Sequence, residues 1–366
     1  MAFQCGIVGL PNVGKSSLFN ALTQSSIPAE NYPFCTIDPH QGIVELPDFR
    51  LLELEKIYKP EKLIASTVEF IDIAGLVKGA SSGEGLGNQF LGQIRQTAAI
   101  LHVVRCFDNE KINHVDGRID PIKDVETIET ELLLADIETL EKRKIKLQKI
   151  VKSGNKKDIA AFDLVKELIE HCSDGKNAKT FEVSKDMIDL KNSLHLLTDK
   201  PVLYIGNIGE SNLMKNNVTQ HMKNLAEHVK NQSNDVVFLC ASLEQEISTL
   251  KKSEQKLFLD EYRLKDTGLN KVIRSSFNLL GLHTFFTCGS KEVKSWTIQK
   301  KITAPQAAGQ IHSDFERGFI KAEVFAFEDI LKYGSESKLK ELGLIRQEGR
   351  DYTVKDGDCI FFKFNV

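Results

Sequence analysis

The segment Gly9-Leu-Pro-Asn-Val-Gly-Lys-Ser16 has the spacing GxxxxGK[ST]. It sits between a short apolar run and a stretch with helical periodicity through Leu18, Phe19 and Leu22. Glycines in such a turn let backbone N–H groups point inward onto phosphate oxygens, and the helix N-terminus adds the positive end of its dipole. Asn12, Val13, Gly14, Lys15, Ser16 and Ser17 are therefore the candidate phosphate contacts. Lys15 is expected to reach the β- and γ-phosphates, and the Ser16 hydroxyl to ligate Mg²⁺.

A phosphate loop alone serves kinases, transporters and switch hydrolases alike. Asp72-Ile-Ala-Gly75 ends an apolar, β-branched run that begins at Thr67. Asp72 can then hold Mg²⁺ through water, and the Gly75 amide is free to approach a γ-phosphate. Thr36, in the polar loop after the first helix, can offer the metal a second hydroxyl and make that loop sense the γ-phosphate. The candidate metal set is Ser16, Thr36 and Asp72. Leu76 follows Gly75 where Ras-like GTPases place a water-orienting glutamine, and it has neither donor nor acceptor. Unassisted hydrolysis should therefore be slow, and His114, in a polar loop, is the candidate replacement. Lys15, Thr36, Gly75 and His114 form the candidate catalytic set.

Base recognition is expected at Asn207-Ile-Gly-Glu210 and Cys240-Ala-Ser242, each following an apolar strand-length run. GTPases carry Asn-Lys-x-Asp, whose carboxylate accepts from guanine N1–H and the N2 amino group. Adenine offers a lone pair at N1 and a donor at N6. Here the lysine is Ile208 and the carboxylate, Glu210, has gained a methylene, so the guanine lock is altered and ATP is favoured. Asn207 can serve a purine N7 or the adenine amino group, while Cys240, Ala241 and Ser242 would cap the base.

These residues need a frame. Runs at Ala2–Val8, Thr67–Ile73, Ile100–Cys106, Pro201–Gly206 and Val236–Cys240 alternate with helical segments, which predicts a mostly parallel sheet covered by helices. Between about 122 and 200 the pattern changes. Leu133, Ile137, Leu140, Leu147 and Val151 follow a three-four spacing with Lys144 breaking the seam, and Phe162, Val165 and Ile169 continue it after Ser153-Gly154-Asn155, which predicts an inserted helical hairpin of coiled-coil type. Its charge is segregated: acidic from Asp124 to Glu141, then basic from Lys142 to Lys157, a tip suited to phosphates. Beyond about 277, β-rich runs with one helical stretch, Ala304–Phe315, predict a small, mainly β module.

Composition narrows the class. The chain has 366 residues, 41% hydrophobic and 27% charged, with net charge −3, so any nucleic-acid contact must come from a local basic patch. Seven widely spaced cysteines read as reduced thiols, not a disulfide frame or a zinc site. No run is long and apolar enough to span a membrane, and no signal peptide is expected at the N-terminus.

Gly9–Ser16, Thr36, Asp72-Ile-Ala-Gly-Leu-Val-Lys-Gly79 and Gly83-Glu-Gly-Leu-Gly-Asn88 resemble the Obg-related branch of translation-factor GTPases. Within it, Asn207–Glu210, Thr303-Ala-Pro-Gln-Ala-Ala-Gly309, His312–Phe315 and Arg317-Gly-Phe-Ile-Lys321 are similar to the Obg-like ATPases, the YchF group. The resemblance covers essentially the whole chain. It implies an α/β P-loop G domain over 1–276, with the coiled-coil hairpin inserted, and a TGS domain of ubiquitin-like β-grasp fold over 277–364. It further implies a cytoplasmic, monomeric, Mg²⁺-dependent ATPase that binds GTP more weakly. The partner would be the ribosome or its large subunit, with rRNA or tRNA contacts through the coiled coil and the TGS domain. Asn12 resembles the asparagine of GTPases that recruit K⁺. A GTPase or unselective purine nucleotidase of the same architecture is the alternative. A nucleotide-holding adaptor without turnover also stays open, whereas a small-molecule kinase lacks an arginine-rich lid.

Overall fold

The computed structural model describes residues 3–24, 40–73, 86–109, 118–214 and 217–365. The chain divides into two compact units, Met1–Gly42 with Glu69–Val272 and Ile43–Val68 with Ile273–Val366. Residues 43–68 thus group with the C-terminal unit. The reason is burial. Asp48 caps the helix Phe49–Tyr58 by accepting from the Arg50 amide, and the helix places Leu51 and Leu54 in a core with Phe286, Val293, Phe325, Phe327 and Cys359.

Among the described residues the strands run in chain order as β1 (Gln4–Val8), β2 (Gln41–Glu45), β3 (Lys62–Ile64), β4 (Thr67–Asp72), β5 (Ala99–Arg105), β6 (Val202–Asn207), β7 (Asp235–Leu239), β8 (Leu282–Cys288), β9 (Glu292–Gln299), β10 (Phe319–Ala326), β11 (Arg346–Glu348) and β12 (Asp358–Phe364). One sheet has the order β2-β4-β1-β5-β6-β7, and β1 is parallel to β4 and β5, β5 to β6, and β6 to β7. Every residue of β5 is buried, as a strand covered on both faces must be. Register aligns Ile7 with Asp72, Arg105 with Asn207, and Asn207 with Leu239. The C-terminal ends of these parallel strands thus share one edge, where open α/β sheets bind ligands.

The inserted hairpin consists of the helices Pro121–Ile150 and Lys156–Ser173. Gly154 turns the chain at φ +75°, and Asn155 caps the second helix by accepting from the Lys157 amide at 3.0 Å. Leu140, Leu147, Leu164, Val165 and Leu168 form the shared core. Asp136, buried on the first helix, fastens the hairpin base by accepting from the Leu197 and Thr198 amides at 2.7 and 2.8 Å and from the Thr198 hydroxyl at 2.7 Å.

The second sheet has the order β11-β10-β12-β8-β9-β3, mixed in direction: β8 and β9 are antiparallel, as are β10 and β12, while β12 and β8 are parallel. Phe285 and Phe286, adjacent on β8, enter two different cores, as alternation on a strand requires. The helix Ala304–Ile311 buries Ala304, Ala307 and Ala308 with Phe285 in one of them. The single helical stretch expected over Ala304–Phe315 is in fact two helices. His312 adopts an extended backbone after Ile311, and its Nδ1 caps Ser313–Arg317 by accepting from the Asp314 amide at 3.1 Å. A further helix, Phe327–Tyr333, follows β10 directly.

Candidate nucleotide-binding site

The loop between β1 and the helix Lys15–Gln24 takes backbone angles that only a few residues tolerate. φ is +155° at Gly9, +62° at Asn12 and +99° at Gly14. Lys15 is buried and donates from Nζ to the Leu10 carbonyl at 2.8 Å, folding its side chain back over the loop. Burial lowers the pKa of this ammonium, and the negative charge of Asp72 opposes the shift.

Asp72 ends β4. Burial raises its pKa, while Lys15 and His40 hold it down. Its Oδ1 is buried and, among the described residues, has no hydrogen-bond partner. An orphaned carboxylate oxygen beside a phosphate loop suits a hard divalent cation or one of its waters. The donor set of Asp72 and the exposed Ser16 hydroxyl therefore fits Mg²⁺. Among the described residues no cluster of three His, Cys, Asp or Glu side chains could hold a metal by itself, so the phosphates would have to complete such a site. Thr36, Gly75, Leu76 and His114 lie outside the described residues.

One buried side chain joins the two ends of the site. Asn207, the last residue of β6, donates from Nδ2 to the Val13 carbonyl at 2.9 Å and accepts at Oδ1 from the Ala241 amide at 3.0 Å. Phosphate loop and base loop are thereby clamped together. The sequence reading had Asn207 contacting the base; the structure commits both ends of its amide group to backbone, leaving one N–H for a ligand.

A cavity of about 760 Å³ opens over this clamp. It brings together Asn12, Gly14, Lys15, Ser16 and Ser17 from the phosphate loop with Asn207, Ile208, Glu210, Cys240, Ala241 and Ser242 from the base side. Val13 is buried and contributes its carbonyl from beneath. Ile208 borders the cavity but is only 3% exposed, packed with Val104, Cys106, Tyr204 and Leu225. It therefore belongs to the core and does not cover a base as the lost lysine stem would.

The wall opposite was missed from the sequence. Phe107, Asp108 and Asn109, just past β5, also line the cavity. Arg105, 1% exposed, shapes this turn by donating to the Phe107 and Asn109 carbonyls at 3.2 Å each, and its guanidinium lies 4.6 Å from the Phe107 ring centroid. The position of the loop at a strand's C-terminal end was the available signal. No motif marks it.

His102 on β5 is fully buried. Burial, with the Lys15 charge adding to it, pushes its pKa from 6.5 to about 3. The native chain thus keeps a neutral imidazole, while the unfolded chain takes up a proton below its ordinary pKa. The resulting stability is whole above about pH 6.5 and falls away on acidification, by up to about 1.4 kcal/mol per pH unit. Urea unfolding across that window should show a shallower acid slope for His102→Gln, and an unchanged slope would refute the assignment.

A family model described as a 50S ribosome-binding GTPase matches residues 4–157, and the model of the YchF GTPase C-terminal domain, described as a protein of unknown function, matches 282–365. The chain is 48% identical over 366 residues to the ribosome-binding ATPase YchF of Bacillus subtilis, covering 100% of both chains. The ribosome-binding ATPase YchF of Escherichia coli O157:H7 shares the same 48% over the same coverage. Among solved structures, the YchF GTPase of Schizosaccharomyces pombe superposes with a TM-score of 0.89 at 35% identity, over 98% of this chain and 97% of that one.

Proposed function

The chain belongs to the YchF family, and from that membership we propose that it is a magnesium-dependent ATPase acting as a nucleotide-controlled switch on the ribosome. The observation that carries this reading is the Asn207 clamp, which fixes a phosphate loop and a base loop on either side of a cavity of nucleotide size. Lys15 would leave the Leu10 carbonyl to bind the β- and γ-phosphates, aided by the amides at the helix N-terminus. Ser16 and Asp72, with Thr36 as a further ligand, would hold Mg²⁺, which neutralises phosphate charge when bound. His114 remains our candidate for orienting water, and Asn12 for a K⁺ site.

Base choice is attributed to Glu210 and to Phe107, whose ring offers a flat apolar wall in place of the lysine stem. We read the C-terminal unit as a TGS domain and the protein as a cytoplasmic monomer. Among the described residues no helix is long and apolar enough to cross a membrane.

The tip of the hairpin is the proposed RNA contact. Lys142 pairs with Glu138, and Lys144 with Glu141. Arg143, Lys146, Lys149, Lys152, Lys156 and Lys157 are exposed and make no ion pair among the described residues. Exposed Ile145 and Ile150 lie among them. Reversing Lys146, Lys149 and Lys152 to Glu should weaken co-sedimentation with ribosomes about tenfold or more and flatten its salt dependence, since each lost phosphate contact removes nearly one unit of log–log slope. Equal sedimentation and an unchanged salt slope would rule the tip out.

A further inference from the structure

We propose that Tyr262 is a positioning residue for base choice, holding the Glu210 carboxylate so that one oxygen, not two, faces the base; this rests on the reading of the cavity as an ATP-preferring nucleotide site. The Tyr262 hydroxyl donates to Glu210 Oε1 at 3.1 Å. Glu210 opens the short helix Glu210–Met214 and lines the cavity. Tyr262 follows the helix Lys252–Glu261, and its ring stacks on Phe258 with centroids 4.3 Å apart and planes 12° from parallel. Phe258, Tyr262 and Leu213 pack together on buried Cys240, Leu243 and Ile247. The donor is thus anchored in the same apolar cluster that supports the base loop, and its ring direction is set by packing.

The consequence follows from the two purine edges. Guanine presents two parallel donors, N1–H and the N2 amino group, which suit a carboxylate with both oxygens turned toward them. Adenine presents one exocyclic donor beside a lone pair, and a second carboxylate oxygen placed against that lone pair repels it. By engaging Oε1, Tyr262 turns that oxygen away and leaves Oε2 for a single donor. Glutamate in place of aspartate supplies the extra methylene that lets the carboxylate reach toward the tyrosine. Desolvation and the hydrogen bond to Glu210 raise the pKa of this hydroxyl, so it remains a donor at neutral pH.

Tyr262→Phe removes the donor and keeps the stacked ring. The test is equilibrium binding of non-hydrolysable ATP and GTP analogues to the full chain, as wild type, Tyr262→Phe, Glu210→Ala and the double variant. The ATP-to-GTP affinity ratio should fall about tenfold in Tyr262→Phe, mainly through a gain for GTP, the lower end of what one hydrogen bond to a charged group contributes. The thermal midpoint should be unchanged. In the Glu210→Ala background the tyrosine substitution should change nothing further, which a merely structural role would not produce. A ratio shifted by Glu210→Ala but not by Tyr262→Phe overturns the positioning role alone. A ratio indifferent to both overturns the reading of Glu210 as the base-facing residue as well.

Discussion

A chain carrying Lys15→Ala will bind and fold but release phosphate from ATP at least about a thousandfold more slowly than the parent. Loss of one preorganised donor to a transition-state oxygen already costs about a hundredfold to a thousandfold, and here a full positive charge goes with it. The fold should survive. Lys15 begins the helix Lys15–Gln24, a position alanine fills readily, and the change frees only the Leu10 carbonyl, worth about 1 kcal/mol. Single-turnover phosphate release read beside the thermal midpoint separates lost chemistry from lost structure. Turnover near the parental rate would remove the phosphate assignment from this loop.

Gly14→Ala should act on binding, where Lys15→Ala acts on the chemical step. A Cβ at this position would lie 2.2 Å from Asn207 Nδ2 and 3.7 Å from the Ala241 side chain. Asn207 cannot retreat, because its Nδ2 is held by Val13 and its Oδ1 by Ala241. The backbone also sits at φ +99°, where a residue with a side chain is strained by about 1–3 kcal/mol. Either the clamp breaks or the loop shifts, and affinity for a non-hydrolysable ATP analogue should drop about a hundredfold or more, since two lost contacts and strain together exceed 2.7 kcal/mol. Gly92→Ala is the control, since a Cβ there meets nothing within 4 Å. Parental affinity in Gly14→Ala would show that the Asn207 bridge is dispensable.

The parallel sheet was legible because β1, β4, β5, β6 and β7 are apolar runs whose type follows from local composition. The phosphate loop was legible because its chemistry demands fixed spacing. The allegiance of residues 43–68 was not. Leu51 and Leu54 announce an amphipathic helix, but a helical stripe does not say which core it enters. Ile208, which borders the cavity, shows the same ambiguity. Its place in a base motif suggested contact with the ligand, whereas its side chain turns into the core with Tyr204 and Leu225. Phe107 escaped notice because a flat wall needs one aromatic residue at the right loop, and no spacing rule marks it. Arg105 read as part of an apolar strand, yet its buried guanidinium organises that wall.

Turnover with a preference for ATP is the property that the proposed site must deliver. Multiple-turnover phosphate release should be measured on the purified chain with ATP and GTP supplied separately at equal subsaturating concentration, with Mg²⁺ present and then chelated. Release from ATP should exceed release from GTP by about tenfold, a difference of 1.4 kcal/mol, and should stop in both cases when the metal is withdrawn. Equal or faster release from GTP would contradict the reading of Glu210. Tight nucleotide binding with no release from either would make the chain a nucleotide-holding adaptor, contrary to everything proposed for Lys15.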